Sequence, residues 1–303
     1  MKFEAFGWSH VRKEAFAARA ADGFVPGRVV TEHRSHLQVV TPHAEFSTEL
    51  SAEVSGRLRN EAVQRFDLPG VGDFVALRLA LGDGPAVIEA VLPRTSVLIR
   101  KASGENRPQA LAANVDVVFI VTAPDGDFNE VRLERLLALV RDGGAAPVII
   151  LNKSDLAGDA PALTEHIARV APDVPLHVIS ARAREGLGPI ELYFNGNQTI
   201  GLVGSSGVGK STLTNILLGR DAQATQPVRL RDSLGRHTTT HRQLFARPGG
   251  GCIIDTPGMR TVESWIAKSV DADDRERTIR RSEDSLTEDA TDKMRQRRHR
   301  SER

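Results

Sequence analysis

The tetrapeptide Asn152-Lys153-Ser154-Asp155 stands upstream of Gly204-Ser205-Ser206-Gly207-Val208-Gly209-Lys210-Ser211. The second string has the GxxxxGKS spacing of a phosphate-cradling loop, and the first has the residue types that read a guanine ring. In a nucleotide-binding α/β sheet the phosphate loop normally comes first. A chain carrying both strings in the inverse order is constrained to a permuted sheet, in which the same strands are entered from a different starting point.

The phosphate loop sits in the context its chemistry needs. Gln198 to Val203 predicts a strand leading in, and Thr212 to Leu218 predicts a helix leading out. Gly204, Gly207 and Gly209 let the backbone N–H groups around Ser205, Ser206 and Val208 turn inward on phosphates. Lys210 is expected to reach the β- and γ-phosphates. The Ser211 hydroxyl is expected to ligate Mg²⁺, with Thr212 beside it at the positive end of the helix dipole. The bland alternative is a tight glycine turn, and the loop alone does not choose between ATP and GTP.

The base-reading string makes that choice. Val148 to Leu151 is an apolar, β-branched run that predicts a strand. Asn152, Lys153 and Asp155 follow at its carboxyl end, where α/β sheets bind ligands. An Asp carboxylate there accepts from both the ring N–H and the exocyclic amine of guanine, and adenine presents the opposite pattern. Ser180-Ala181-Arg182, after Val178-Ile179, looks like a supporting loop whose Ala181 N–H meets guanine O6. Taken singly, Asn-Lys-x-Asp could instead cap the next helix. Together these segments point to a permuted GTPase that binds GTP and GDP.

Ile253-Ile254-Asp255-Thr256-Pro257-Gly258 supplies a switch segment, with Asp255 directed towards Mg²⁺ and the Gly258 N–H towards the γ-phosphate. Between it and the phosphate loop lies Gly235-Arg236-His237-Thr238-Thr239-Thr240, in which one hydroxyl is expected to complete the Mg²⁺ shell, Thr240 ahead of Thr239. Its alternative is a Thr-rich strand edge. Many GTPases place Gln after the switch glycine. Here that position is Met259, which cannot hold a water. His237 is the nearest candidate for that role, set against a solvated loop histidine. Either way, slow intrinsic turnover raised by a loop-ordering partner is expected.

Before these motifs the chain offers five β-rich runs: Gly27 to Thr31, His36 to Thr41, Ala52 to Leu58, Asp73 to Leu79 and Ala86 to Leu92. Pro, Gly and Asp punctuate them, which predicts a small all-β barrel. Arg28, Arg34, Arg57, Arg59, Arg65, Arg78, Arg94, Arg100 and Lys101 are cations that could meet phosphate oxygens of RNA. Phe46, Phe66 and Phe74 are stacking platforms or core, so contact with RNA shape and backbone is the expectation. The run Val228 to Arg247, with five arginines and two histidines against Asp232, is a solvated loop or an RNA contact.

The length of 303 residues and 40% hydrophobic content accommodate two domains with proper cores. No apolar run approaches the ~20 residues of a membrane span, and the charged first twenty residues do not form a signal peptide. A monomer in the cytoplasm is the expectation. The lone Cys252 forbids an internal disulfide and is expected to be buried in the strand before Asp255.

Pro93-Arg94 through Arg100-Lys101, Leu111-Ala112-Ala113-Asn114-Val115-Asp116, Asp127-Phe128-Asn129 and Arg132-Leu133-Glu134-Arg135 join the nucleotide motifs in one more observation. Over roughly residues 24 to 264 the chain resembles the RsgA (YjeQ) family of ribosome small-subunit-dependent GTPases. The resemblance implies an OB-fold barrel followed by a circularly permuted P-loop GTPase domain. It also implies GTP hydrolysis stimulated by the small ribosomal subunit during late maturation, with the barrel on ribosomal RNA. The domains expected are an N-terminal extension (1–23), an OB-fold (24–104), the permuted GTPase domain (105–264) and a polar tail (265–303). Relatives end in a helical domain with a Cys-Cys-His-Cys zinc site. No cysteine follows Cys252 and the tail is too polar to bury a core, so no zinc is expected. A second reading, motivated by Met259 and the missing zinc domain, is a GTP-responsive rRNA-binding factor with little hydrolysis.

Overall fold

The computed structural model describes residues 2–33, 35–43, 46–80, 84–101, 108–124, 128–156, 160–220 and 242–255. All of them belong to one compact unit, Met1–Thr261. The expectations for His237, Thr239, Thr240, Gly258, Met259, Arg34 and the tail fall outside the described residues, as does the side chain of Asp255.

The chain opens with a 3₁₀ turn, Phe3–Phe6, and helix α1, His10–Ala21. The Ser9 side chain accepts from the Arg12 N–H to start α1, and Gly23 at φ +82° ends it in the left-handed region. Five strands follow: β1 (Val25–Glu32), β2 (Leu37–His43), β3 (Phe46–Val54), β4 (Phe74–Arg78) and β5 (Ala86–Val91). They pair β1–β2, β2–β3, β3–β5, β5–β4 and β4–β1, closing a five-stranded barrel. Val29, Val39, Val75, Leu77 and Ile88 fill its interior, all at 0% exposure.

One predicted strand is misplaced. Of the run Ala52 to Leu58 only Ala52, Glu53 and Val54 are strand, because β3 runs Phe46–Val54, paired with β2 from His43↔Phe46 to Leu37↔Ala52. The Ser55 Oγ then accepts from the Leu58 N–H at 3.1 Å, which caps helix α2 (Gly56–Glu61) and ends the strand.

After a hairpin of β6 (Val97–Lys101) and β7 (Pro108–Ala113), which the sequence reading did not anticipate, the α/β part begins. Its elements are β8 (Val117–Thr122), α3 (Glu130–Asp142), β9 (Ala146–Leu151), α4 (Ala160–Val170), β10 (Leu176–Val178), α5 (Gly188–Glu191), β11 (Thr199–Val203), α6 (Lys210–Leu218), β12 (Gln243–Ala246) and β13 (Cys252–Asp255). In space the strands run β10-β9-β8-β11-β13-β12, all parallel except β12. The strand expected at Val148 to Leu151 falls within β9, and the one expected at Gln198 to Val203 contains β11. The central strands are continuous apolar runs because both faces are covered, and Ile150, Leu202 and Ile253 are fully buried. Cys252 is buried as expected.

The barrel and the α/β sheet are one hydrogen-bonded ladder, joined where Thr31 of β1 pairs with Gln243 of β12. Arg28 sits at this joint with no exposure, which corrects its assignment as a phosphate contact. Its Nε donates to Gly72 O at 3.2 Å and its Nη2 to Asn114 O at 3.2 Å, while Nη1 bonds Phe6 O. The Phe74 ring lies 4.6 Å from the guanidinium, so Phe74 is core and not a stacking platform. Burial lowers the Arg28 pKa to about 10. Arg94 is likewise withdrawn from RNA, held bidentately by Asp73 at 2.7 and 2.8 Å and bonded to Phe66 O and Leu68 O.

Residues 2–23 are part of this joint. Trp8 packs on Phe3, Phe16 and Phe74, the Arg12 guanidinium lies 4.5 Å from the Phe74 ring, and the Cys252 thiol bonds Ala5 O at 3.6 Å. Nothing in the sequence reading assigned an element here.

Candidate nucleotide site

Parallel pairing brings the carboxyl ends of β8, β9, β10, β11 and β13 to one edge of the sheet, the edge where α/β sheets bind ligands. That edge receives Asn152 to Asp155 from β9, Ser180 to Arg182 from β10, and the loop at 204–209 from β11. Asp255 arrives there on β13, its backbone in register with Leu202.

The loop has the backbone its glycines permit. Gly204, Gly207 and Gly209 stand at φ +142°, +87° and +96°, values that side-chain-bearing residues rarely adopt. A Cβ at Gly204 would meet Val121 O at 2.2 Å, and one at Gly209 would meet the Asn152 amide nitrogen at 2.3 Å. Helix α6 starts directly from Gly209 with no side-chain cap. Its first N–H groups therefore face the loop unclaimed by a capping side chain. The Lys210 Nζ donates to Gly204 O at 2.9 Å and Ser205 O at 2.6 Å, folding the ammonium over the loop. Ser211 and Thr212 follow in the first turn, half-buried.

Asn152 is 2% exposed and ties three motifs together. Its Nδ2 donates to Val208 O in the phosphate loop at 2.8 Å, and its Oδ1 accepts from the Ala181 N–H at 2.9 Å. Its own N–H donates to Thr122 O at the end of β8. The Ala181 N–H, expected at guanine O6, here donates to Asn152. Asp155 is exposed, and the Ser180 hydroxyl donates to its Oδ1 at 2.6 Å while accepting from the Ala183 N–H. Ser180 is fully buried, so it fixes the carboxylate from beneath. Lys153 sits at φ +63°, and Ser154 N–H donates to Ile179 O at 3.1 Å. These two features hold the base-reading string against β10.

Beside the phosphate loop a small recess is lined by Thr122, Phe128, Asn129, Arg132, Gly204 and Ser205 among others. The Asn129 Oδ1 accepts from the Arg132 N–H at 2.8 Å to start α3, a capping pattern legible in Asn129-Glu130-Val131-Arg132.

The basic run Val228 to Arg247 has two described arginines, and both turn into the protein. Arg242 donates to Ala110 O at 2.9 Å, and Arg247 donates to Leu217 O at 2.9 Å with the Phe194 ring 4.1 Å from its guanidinium. Neither fits the expected solvated loop or RNA contact. Among the described residues no group of three or more His, Cys, Asp or Glu is arranged to hold a metal, and no helix is long and apolar enough to cross a membrane.

A glycine loop between strand and uncapped helix, facing an Asn-Lys-x-Asp string at one sheet edge, defines a nucleotide-binding α/β protein of the phosphate-loop class. The family model described as RsgA GTPase matches residues 91–265. The small ribosomal subunit biogenesis GTPase RsgA of Opitutus terrae is 42% identical over 274 residues, covering 88% of this chain and 74% of that protein. The crystal structure of YjeQ from Thermotoga maritima matches with a TM-score of 0.59 at 25% identity, over 79% of this chain and 76% of that one. The structure of YloQ, a circularly permuted GTPase, matches in fold with a TM-score of 0.57 at 24% identity, over 80% of this chain and 74% of that one. The chain belongs to the RsgA GTPase family, and it is a GTP hydrolase.

Proposed function

We propose that this chain is a circularly permuted, Mg²⁺-dependent GTPase that acts as a monomer on the small ribosomal subunit in the cytoplasm. In this reading an OB-fold barrel contacts ribosomal RNA, and the subunit stimulates turnover. The observation that carries it is the Asn152 tie, which brings the upstream Asn-Lys-x-Asp string and the downstream phosphate loop into one site. Permutation accounts for the strand order. Position falls along the sheet from β10 to β8 and restarts at β11, as it does when old termini are joined and new ones opened elsewhere. The closed pairing β1–β2–β3–β5–β4–β1 is the topology expected of an OB-fold.

The residues present fit GTP and Mg²⁺. The glycine cradle has no room for side chains at 204 and 209, and the loop carbonyls hold Lys210 where phosphate oxygens would replace them. Asp155 would take the guanine N–H groups, with Asn152, Lys153, Ser180 and Ala181 shaping its pocket. Gly204 to Thr212 would hold the phosphates, and the Gly258 N–H would contact the γ-phosphate. Ser211, Thr240 and Asp255 would hold Mg²⁺, with Thr239 adjacent. Held there, the ion would supply positive charge against the charge developing in phosphoryl transfer. His237 would orient the attacking water, and Lys210 would stabilise charge developing on the phosphoryl oxygens.

On the barrel, Arg57, Arg59, Arg65 and Arg78 are exposed. Arg57, Arg65 and Arg78 pair with Glu61, Glu32 and Glu89 respectively, so RNA is engaged through shape and backbone with modest net charge. The test is phosphate release from GTP with and without purified small subunits. A subunit-dependent rise supports the proposal, and an unchanged rate at saturating subunit overturns it.

A further inference from the structure

The barrel and the nucleotide edge share a continuous line of hydrogen-bonded backbone. Thr31 of β1 pairs with Gln243 of β12, Gln243 with Asp255 of β13, Asp255 with Leu202 of β11, and Leu202 with Phe119 of β8. Leu202 lies two positions before Gly204. Thr31 of β1 is therefore two ladder steps from the Asp255 end of β13.

One charged contact reinforces this line at the barrel. Glu32, the last residue of β1, accepts from Arg65 of the barrel through Oε1 at 3.5 Å and forms an ion pair with Arg242 through Oε2 at 3.6 Å. Arg242 directly precedes β12, is 12% exposed at its side chain, and donates as well to Ala110 O of β7. Glu32 is 27% exposed, so the pair is screened less than a surface pair. Glu32 also stands where β1 turns into β2. It pairs with Leu37, and the next residue closes the turn through His33 N–H to His36 O at 3.0 Å, with the two imidazoles stacked 4.6 Å apart.

We propose that Glu32 and Arg242 are positioning residues that couple the barrel to the nucleotide edge, so that the small subunit's stimulation of GTP hydrolysis depends on their ion pair. The inference rests on the subunit-stimulated GTPase reading above. The pair touches neither nucleotide nor reacting atoms. It sets where the Gln243 end of β12, and hence the Asp255 end of β13, lies relative to the barrel. Ladder pairing alone permits sliding and twist. The ion pair fixes the last residue of one strand against the residue that leads into the other.

The experiment compares wild type, Glu32→Lys, Arg242→Glu, the double exchange and the milder Glu32→Gln in the full-length protein. Intrinsic GTP turnover, turnover across a titration of small subunits, and thermal unfolding are measured for each. The proposal expects each single reversal to keep intrinsic turnover within about twofold and to lower the maximal stimulated rate on the order of fivefold or more, the usual lower end of site-to-site coupling. Glu32→Gln should fall between, and the double exchange should recover most of the loss. Unchanged stimulation in the single variants overturns the proposal. So does parallel loss of intrinsic and stimulated turnover, which marks a folding contribution, or a weaker half-saturation for subunits at unchanged maximal rate, which marks an RNA contact. A double exchange no better than the singles also overturns it. If wild type itself shows no stimulation, the functional reading fails and takes this inference with it, a result distinct from all the others.

Discussion

Replacing Asn152 by Ala separates a structural tie from a nucleotide ligand. The side chain makes two buried hydrogen bonds, to Val208 O and from the Ala181 N–H. Its removal leaves one acceptor and one donor without their partner, at about 1–3 kcal/mol each. With partial relaxation of the exposed loop, the expected loss is about 2–5 kcal/mol of folding stability in the absence of any nucleotide. For a unit of this size that corresponds to a fall in Tm on the order of 10 °C. Urea titration and thermal unfolding of the nucleotide-free protein measure it, and GDP affinity should fall in parallel as the phosphate loop loses its anchor. A nucleotide-free variant within about 0.5 kcal/mol of wild type, the ordinary range for surface substitutions, refutes the reasoning. Asn152 would then act only on bound nucleotide.

Three further outcomes follow from the geometry. Gly209→Ala, forced to φ +96° with its Cβ 2.3 Å from the Asn152 amide, should cost on the order of 1–3 kcal/mol and weaken fluorescent GDP analogue binding at least about tenfold; undiminished binding contradicts the loop conformation. Burial raises the Cys252 thiol from 9.0 to about 11, so the native state holds a proton that the unfolded state releases. This contribution is complete below pH 9 and lost as pH rises towards 11. Cys252→Ala should flatten the stability profile in that window, and native Cys252 should resist thiol reagents at pH 8. Deleting residues 2–23 removes Phe3, Phe6 and Phe16, each under 10% exposed, from the joint. At about 1.5–3 kcal/mol per side chain it should destabilise the protein by several kcal/mol, whereas a soluble truncation of unchanged Tm contradicts the packing.

The nucleotide edge was legible because its signals are local. A β-branched run such as Val148 to Leu151 can do little but form a buried strand, and the strings that follow the strands carry their chemistry in sequence. The joint was not legible. An arginine on a strand reads as solvated, and Arg28 is buried only because the carbonyls of Phe6, Gly72 and Asn114, far apart in the chain, converge on it. Arg94 was misread in the same way, since its partner Asp73 lies 21 positions earlier. The third barrel strand was misplaced because Ala52 to Leu58 mixes strand and helix formers, and only the Ser55 cap decides between them. The bond from the Ala181 N–H to Asn152 Oδ1 was not legible either, because tertiary packing joins two motif residues far apart in the chain.

Titration calorimetry of GTP, ATP and xanthosine triphosphate against wild type and Asp155→Asn tests the guanine-selective pocket most directly. Asp155, held by Ser180, should favour GTP over ATP on the order of a hundredfold or more, because a pocket built around paired hydrogen bonds rejects the base that cannot make them. The Asn variant should lose GTP and gain xanthosine triphosphate, whose C2 oxygen accepts where guanine donates. Equal binding of ATP and GTP by wild type, or GTP binding undiminished in Asp155→Asn, contradicts the account.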